Sequence, residues 1–175
     1  MKIYKISHIK IVLIMLFAIT MGLHIADMTE FNEIAAKIPR VSQGQSCVFT
    51  GEMGRGARIS AIDATEECIY FAYSTHGVVA VYGWDGVYKY SIAFFSDSNG
   101  TLGMRSENGL LYVCDYAGHE LVFSGEEQIA VSNPSQRSHL IAWFHETKEL
   151  PLVIQGGKIY TNTGSLIMQL PGKIM

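Results

Sequence analysis

From Arg58 onward the chain is a succession of short runs rich in Ile, Val, Tyr and Phe, each broken after about 6–10 residues by a turn signal. That rhythm constrains the fold more than any other feature, because it predicts short antiparallel strands joined by tight turns. A first set reads RISAID, ECIYFAYST, VVAVYGW and GVYKYSIAFF, with breaks at Ala64–Glu66, His76-Gly77 and Asp85-Gly86. A second reads GTLGMRS, GLLYVCDYA, HELVFSG and EEQIAVS, with breaks at Glu107-Asn108, Ala117-Gly118 and Ser124-Gly125. Each set predicts a four-stranded up-and-down meander. Asp85-Gly86 is the strongest two-residue hairpin signal, since glycine accepts the positive φ of a type I′ turn.

The two sets superpose at a shift of 42 residues: Ile62 meets Met104, Ile69 meets Leu111, Tyr70 meets Tyr112, and Phe71 meets Val113. A weaker third set reads SHLIAWFH, LPLVIQ, GKIYTN and SLIMQL, and its Ile159-Tyr160 echoes Leu111-Tyr112 at 48 residues. Four strands at a period near 42 is the pattern of a propeller blade. Residues 58–170 resemble a β-propeller of the NHL or quinoprotein type, with blades such as ISAID…CIYFAYSTHGVVAVYGWDGVYKYSI. The resemblance implies ligand or partner binding at one end of a channel, with loops supplying specificity, and implies no reaction. The chain departs from that family in having no recurring WD dipeptide and only three units. Three meanders must close by oligomerising, pack as a sandwich, or stand as the remnant of a longer propeller. A generic antiparallel sandwich or barrel is the plain alternative.

The N-terminus carries an address. Residues 1–10 are basic through Lys2, Lys5 and Lys10, and residues 11–26 (IVLIMLFAITMGLHIA) are apolar without formal charge. This is the pattern of a secretory signal or signal-anchor. The lysines are expected to stay cytoplasmic, placing the β-rich remainder of the chain on the far side of the membrane. As a helix the run spans about 24 Å, short of the roughly 30 Å hydrocarbon core. Shortness favours cleavage, whereas the poor small-x-small pattern around Thr20-Met21-Gly22 favours a retained anchor. Asp27 and Glu30 then form a capping-box pattern ahead of an apolar stripe at Phe31, Ile34, Ala35 and Ile38, and Pro39 ends the helix. That stripe is suited either to the membrane surface or to packing on the domain. The expected organisation is a signal-anchor or signal peptide over 1–26, an amphipathic helix and glycine-containing linker over 27–57, and an all-β domain of about three units over 58–175.

Composition narrows the function. A chain of 49% hydrophobic and 17% charged residues is not disordered. Residues 1–26 hold three of the 13 Lys and Arg and none of the 16 acids, leaving residues 27–175 a net charge of −6. A domain that acidic is poorly suited to nucleic acid, which needs a basic patch. Cys47, Cys68 and Cys114 form no C-x-x-C pair and no zinc spacing; free core thiols are expected, with one disulfide as the alternative. Gly44, Gly51, Gly54 and Gly56 match neither a dinucleotide fingerprint nor a P-loop. No G-x-S-x-G elbow is present.

Few residues point to chemistry. Asp115, His119 and Glu120 cluster at the Ala117-Gly118 turn, as a carboxylate–imidazole pair for acid–base work or as a solvated hairpin tip. His76 occupies the corresponding turn of the first set, so His76 and His119 are expected on one rim. His139 and His145 share a strand face but lie about 20 Å apart, too far for one metal. Asp85 reads as a turn former and Asn99-Gly100-Thr101 as a formal glycosylation sequon. Tyr70, Tyr73, Tyr82, Tyr88, Tyr90 and Tyr112 suit either a sugar- or protein-binding surface or cross-strand packing. The expected function is a membrane-anchored extracytoplasmic β-repeat domain that binds a partner protein or small ligand through a rim of His76, Asp115, His119 and Glu120, with no catalytic residue, cofactor or metal. A propeller-type hydrolase or lyase, and a truncated propeller without independent activity, are the alternatives; self-association is a further expectation.

Overall fold

A computed structural model describes residues 15–17, 19–21, 33, 35–54, 56–73, 76–95, 103–115, 117–132 and 149–174. The strands are β1 (Ser46–Phe49), β2 (Arg58–Ala64), β3 (Ile69–Tyr73), β4 (Val78–Tyr82), β5 (Tyr88–Phe94), β6 (Gly103–Glu107), β7 (Leu110–Cys114), β8 (Glu120–Ser124), β9 (Glu127–Val131), β10 (Leu152–Gln155), β11 (Lys158–Thr161), β12 (Leu166–Gln169) and β13 (Lys173–Ile174). They form three sheets, none closed. Sheet 1 has the order β1-β5-β4-β3-β2-β13, sheet 2 is β6-β7-β8-β9, and sheet 3 is β10-β11-β12. All pairings are antiparallel except that of β13 with β2. Both complete meanders fall where the turn signals place them. The first run of the third set, residues 138–145, lies outside the described residues, as do His139, His145, the Asn99 sequon, and Phe31 and Ile34 of the expected helix stripe.

Sheet 1 is the middle layer, and its sequence says why. IYFAY and VVAVY are continuous apolar runs, so β3 and β4 can be buried on both faces, and every residue of each is. One face carries Tyr70, Ala72, Val79, Val81 and Ile92 against Met104, Leu111, Val113, Leu121 and Phe123 of sheet 2. The opposite face carries Ile69, Phe71, Tyr73, Val78, Ala80 and Tyr82 against Leu152 and Ile159 of sheet 3. Each such side chain removed from water contributes roughly 1.5–3 kcal/mol, so two full interfaces hold the middle sheet. Phe71 and Tyr82 add an edge-to-face contact with centroids 5.3 Å apart.

Two expectations need correction. The stretch read as a linker contains β1, because Ser46–Phe49 is a glycine-free quartet with Val48 and Phe49 to bury; it pairs with the outer edge of β5. The Asp85-Gly86 turn is not of type I′. Gly86 N–H bonds the Gly83 carbonyl at 3.0 Å, Asp85 Oδ1 accepts from Val87 N–H at 3.0 Å, and of these residues Gly86 alone has positive φ, 76°. The paired positive φ values that define type I′ occur instead at Asn108 and Gly109 (51° and 78°) and at Gly156 and Gly157 (58° and 73°). The expected membrane segment, residues 11–26, falls largely outside the described residues, and among the described ones no helix is long and apolar enough to cross a membrane. Helical backbone is described at residues 15–17, 19–21, 33 and 35, and Ile38, at the end of the expected stripe, packs against the sheet 1–sheet 3 core.

Candidate functional site

The stack has two ends, fixed by how β2 and β6 lie. Asp63 and Ala64, at the end of β2, bond Ser106, near the end of β6. The two strands therefore run the same way. In consequence the β3–β4 and β7–β8 turns share one end of the stack, and the β2–β3, β4–β5, β6–β7 and β8–β9 turns share the other.

The first end holds the four residues singled out in the sequence. Asp115 is not a solvated tip residue: it is 3% exposed. Its carboxylate accepts from Gly44 N–H at 3.1 Å and from His119 N–H at 2.8 Å, and His119 Nδ1 lies 3.0 Å from Oδ2. The carboxylate–imidazole pair therefore forms, with the carboxylate favouring the Nδ1–H tautomer. A Cβ added to Gly44 would lie 3.6 Å from His119 Cδ2 and 3.5 Å from Val131 Cγ2, so the ring packs under the lead-in segment. Gln128 Nε2 donates to the Gly44 carbonyl at 3.1 Å. The group is a latch that fastens the lead-in segment to sheet 2. Burial pushes the Glu120 carboxyl above its ordinary value, and its N–H donates to Ser132 Oγ at 3.3 Å. His76 lies at the same end in sheet 1, where burial lowers its pKa and favours the neutral ring. Among the described residues no group of three or more His, Cys, Asp or Glu is placed to hold a metal.

The opposite end holds a cleft of about 1060 Å³ between the turns of sheets 1 and 2. Its floor follows from register. Asp63, Tyr70, Val81 and Tyr90 are successive cross-strand partners, so all four share the face turned toward sheet 2. Tyr70 and Tyr90 line the cleft, and Trp84 lines it from the β4–β5 turn, its indole N–H donating to the Thr65 carbonyl at 3.0 Å. Glu66 and Glu67 come from the β2–β3 turn; Glu107, Asn108 and Ser124 face them from sheet 2. Cys68 is buried beside this floor, with Lys89 Nζ 3.2 Å from its sulfur and 3.5 Å from the Glu67 carbonyl oxygen. Burial raises the pKa of both cleft phenols. Both rings therefore stay neutral near physiological pH.

Sequence reasoning marked Tyr70 and Tyr90 as surface-or-packing tyrosines but assembled no site at this end. The signal was available: a turn containing two adjacent carboxylates follows Asp63, and one residue separates Tyr70 from Cys68 on the same strand face. What it lacked was the partner wall, which sheet 2 supplies. No protein-family model matches the chain and no curated protein resembles it in sequence, so the residues of these two ends carry the functional reading alone.

Proposed function

We propose that this chain is a non-catalytic binding module, anchored to a membrane by its N-terminal segment and displayed extracytoplasmically, whose stacked propeller-like units take a small ligand in the cleft between sheets 1 and 2. The cleft carries the reading. It has the volume of a small-molecule site, an aromatic floor and polar turns on both sides. The Asp115–His119 pair is committed to the Gly44 backbone, which speaks for binding rather than acid–base chemistry. For the membrane address, Met15, Leu16, Phe17, Ile19 and Met21 are 47–67% exposed, a run of apolar side chains that lipid would cover. Thr20 Oγ1 turns back to the Leu16 and Phe17 carbonyls, as hydroxyls do in apolar helices.

The test uses the full-length chain in detergent, screened by thermal shift against a panel of cationic, neutral and anionic small molecules. At least one member should raise Tm in the wild type and fail to do so in Ser124→Trp, which fills the cleft mouth. A panel without effect, or an equal response from the variant, overturns the reading. Recovery of the intact chain in the soluble cell fraction overturns the membrane part separately.

Association between chains is a second reading, favoured by sheet 3. Val153, Tyr160 and Leu166 are cross-strand partners on the face turned away from sheet 1, and Val153 and Leu166 are 47% and 56% exposed. A mass of one chain at all concentrations, after correction for detergent, removes it.

A further inference from the structure

We propose that the ligand of the cleft is a small organic cation with an alkylated ammonium head, held between the rings of Tyr70, Trp84 and Tyr90 and the carboxylates of Glu66, Glu67 and Glu107. This rests on the cleft being a binding site and deepens that reading by naming what enters it.

Two independent features of the lining agree. Three aromatic side chains line one cavity, and an aromatic face attracts a cation through its quadrupole, by about 0.5–2 kcal/mol for each well-placed contact. The charged lining is one-sided as well. Glu66, Glu67 and Glu107 bring three carboxylates to the lining, which contains no Lys or Arg among the described residues, while Lys89 Nζ is engaged by the Cys68 sulfur and the Glu67 carbonyl at the edge of the cleft. An anion would meet three repelling carboxylates. A neutral sugar would gain the stacking but leave those charges unanswered.

An alkylated ammonium suits this lining better than a bare one. Its methyl groups bury against aromatic carbon, and its diffuse charge costs less to dehydrate than that of a compact ammonium. The exposed carboxylates then act at longer range, contributing an attraction that salt weakens.

Titration calorimetry on the full-length chain distinguishes the cases, with tetramethylammonium as cation, tert-butyl alcohol as its neutral counterpart of similar shape, glucose as a polyol and sulfate as an anion. Tetramethylammonium should bind at least about tenfold more tightly than the alcohol. Tyr90→Leu should weaken it severalfold. Glu67→Gln should weaken it less and flatten its salt dependence. Glucose binding without cation binding overturns the cation assignment while leaving the cleft a ligand site. Binding of none of the four probes overturns the cation assignment as well, and the absence of any response across the wider thermal-shift panel removes the site altogether. Intact near-ultraviolet dichroism in both variants keeps a loss of binding separate from a loss of fold.

Discussion

The Asp63 carboxylate accepts a hydrogen bond from the backbone N–H of Ser106 at 2.6 Å, joining β2 of sheet 1 to β6 of sheet 2 across 43 residues of chain. Its other oxygen accepts from Ala64 N–H at 2.7 Å, and Ser106 Oγ donates to the Ala64 carbonyl at 2.9 Å. Asp63 and Ser106 are 4% and 2% exposed. A carboxylate so enclosed replaces water for two backbone donors that have little other access to it. Asp63→Ala should therefore cost about 2–4 kcal/mol in denaturant unfolding, and Asp63→Asn roughly half as much, because the amide keeps one acceptor. Equal stability of all three proteins would show that sheets 1 and 2 are held by apolar contact alone.

Much of the fold was legible because strands announce themselves locally. The 42-residue shift carries Val78–Tyr82 onto Glu120–Ser124, the bounds of β4 and β8. Stacking was not legible, because it depends on which face of a unit meets which neighbour. Leu111 and Val113, the counterparts of Ile69 and Phe71, point toward sheet 1, while Ile69 and Phe71 point away from sheet 2; units 1 and 2 therefore stack in the same sense. Ile159 breaks that order: it meets the face of Ile69, so units 1 and 3 sit back to back. Alternation along a strand reveals two faces but not the order in which faces are covered. The candidate sites divide in the same way. The Asp115–His119 pair was readable at a spacing of four residues, whereas its Gly44 partner, 71 residues away, was not.

That distant partner makes a testable latch. Removing the Asp115 carboxylate takes away the acceptor of the Gly44 and His119 N–H groups, and the lead-in segment then depends on Gln128, β1 and the packing of Ile38. Asp115→Ala should speed tryptic cleavage after the exposed Arg40 by about tenfold, the population of the open segment rising with the loss of roughly 1.4 kcal/mol of local stability. The cut should appear as a shortened fragment on a gel. A rate matching the wild type would show that Asp115 does not hold the segment.

Cysteine exposure gives a count that checks the burial of the two sheet-core thiols. Cys47, Cys68 and Cys114 are all free thiols; Cys47 is exposed, while Cys68 and Cys114 are 8% and 7% exposed. A thiol reacts as its thiolate and only where reagent reaches it. At neutral pH the reduced native chain should titrate one thiol quickly and two slowly, with all three reacting at once in denaturant. Cys47→Ser should abolish the fast phase. Two fast thiols in the native chain would place one buried cysteine at the surface.

Alkali should unfold this protein through its tyrosines. Burial raises the phenol pKa of Tyr70, Tyr73 and Tyr82 above the ordinary 10.0. Tyr82 also donates to Glu52 Oε1 at 2.9 Å, a bond that only the neutral phenol makes and that opposes ionisation further. With folded values above the unfolded one, the unfolded chain gives up protons first. The stabilisation is thus complete below the unfolded pKa of 10.0 and declines as pH rises toward the folded values. Each phenol contributes a slope of about 1.4 kcal/mol per pH unit in that window, and three buried together make it steep. Unfolding free energy measured at successive pH values should be insensitive to these tyrosines around neutrality and fall sharply beyond 10, with tyrosinate absorbance rising in step with the loss of dichroism. Tyr82→Phe should lose about 1 kcal/mol at neutral pH with its hydrogen bond, yet decline less steeply in alkali because one proton fewer is at stake. Tyrosinate absorbance that rises while the fold stays intact would mean that these phenols reach water in the native state.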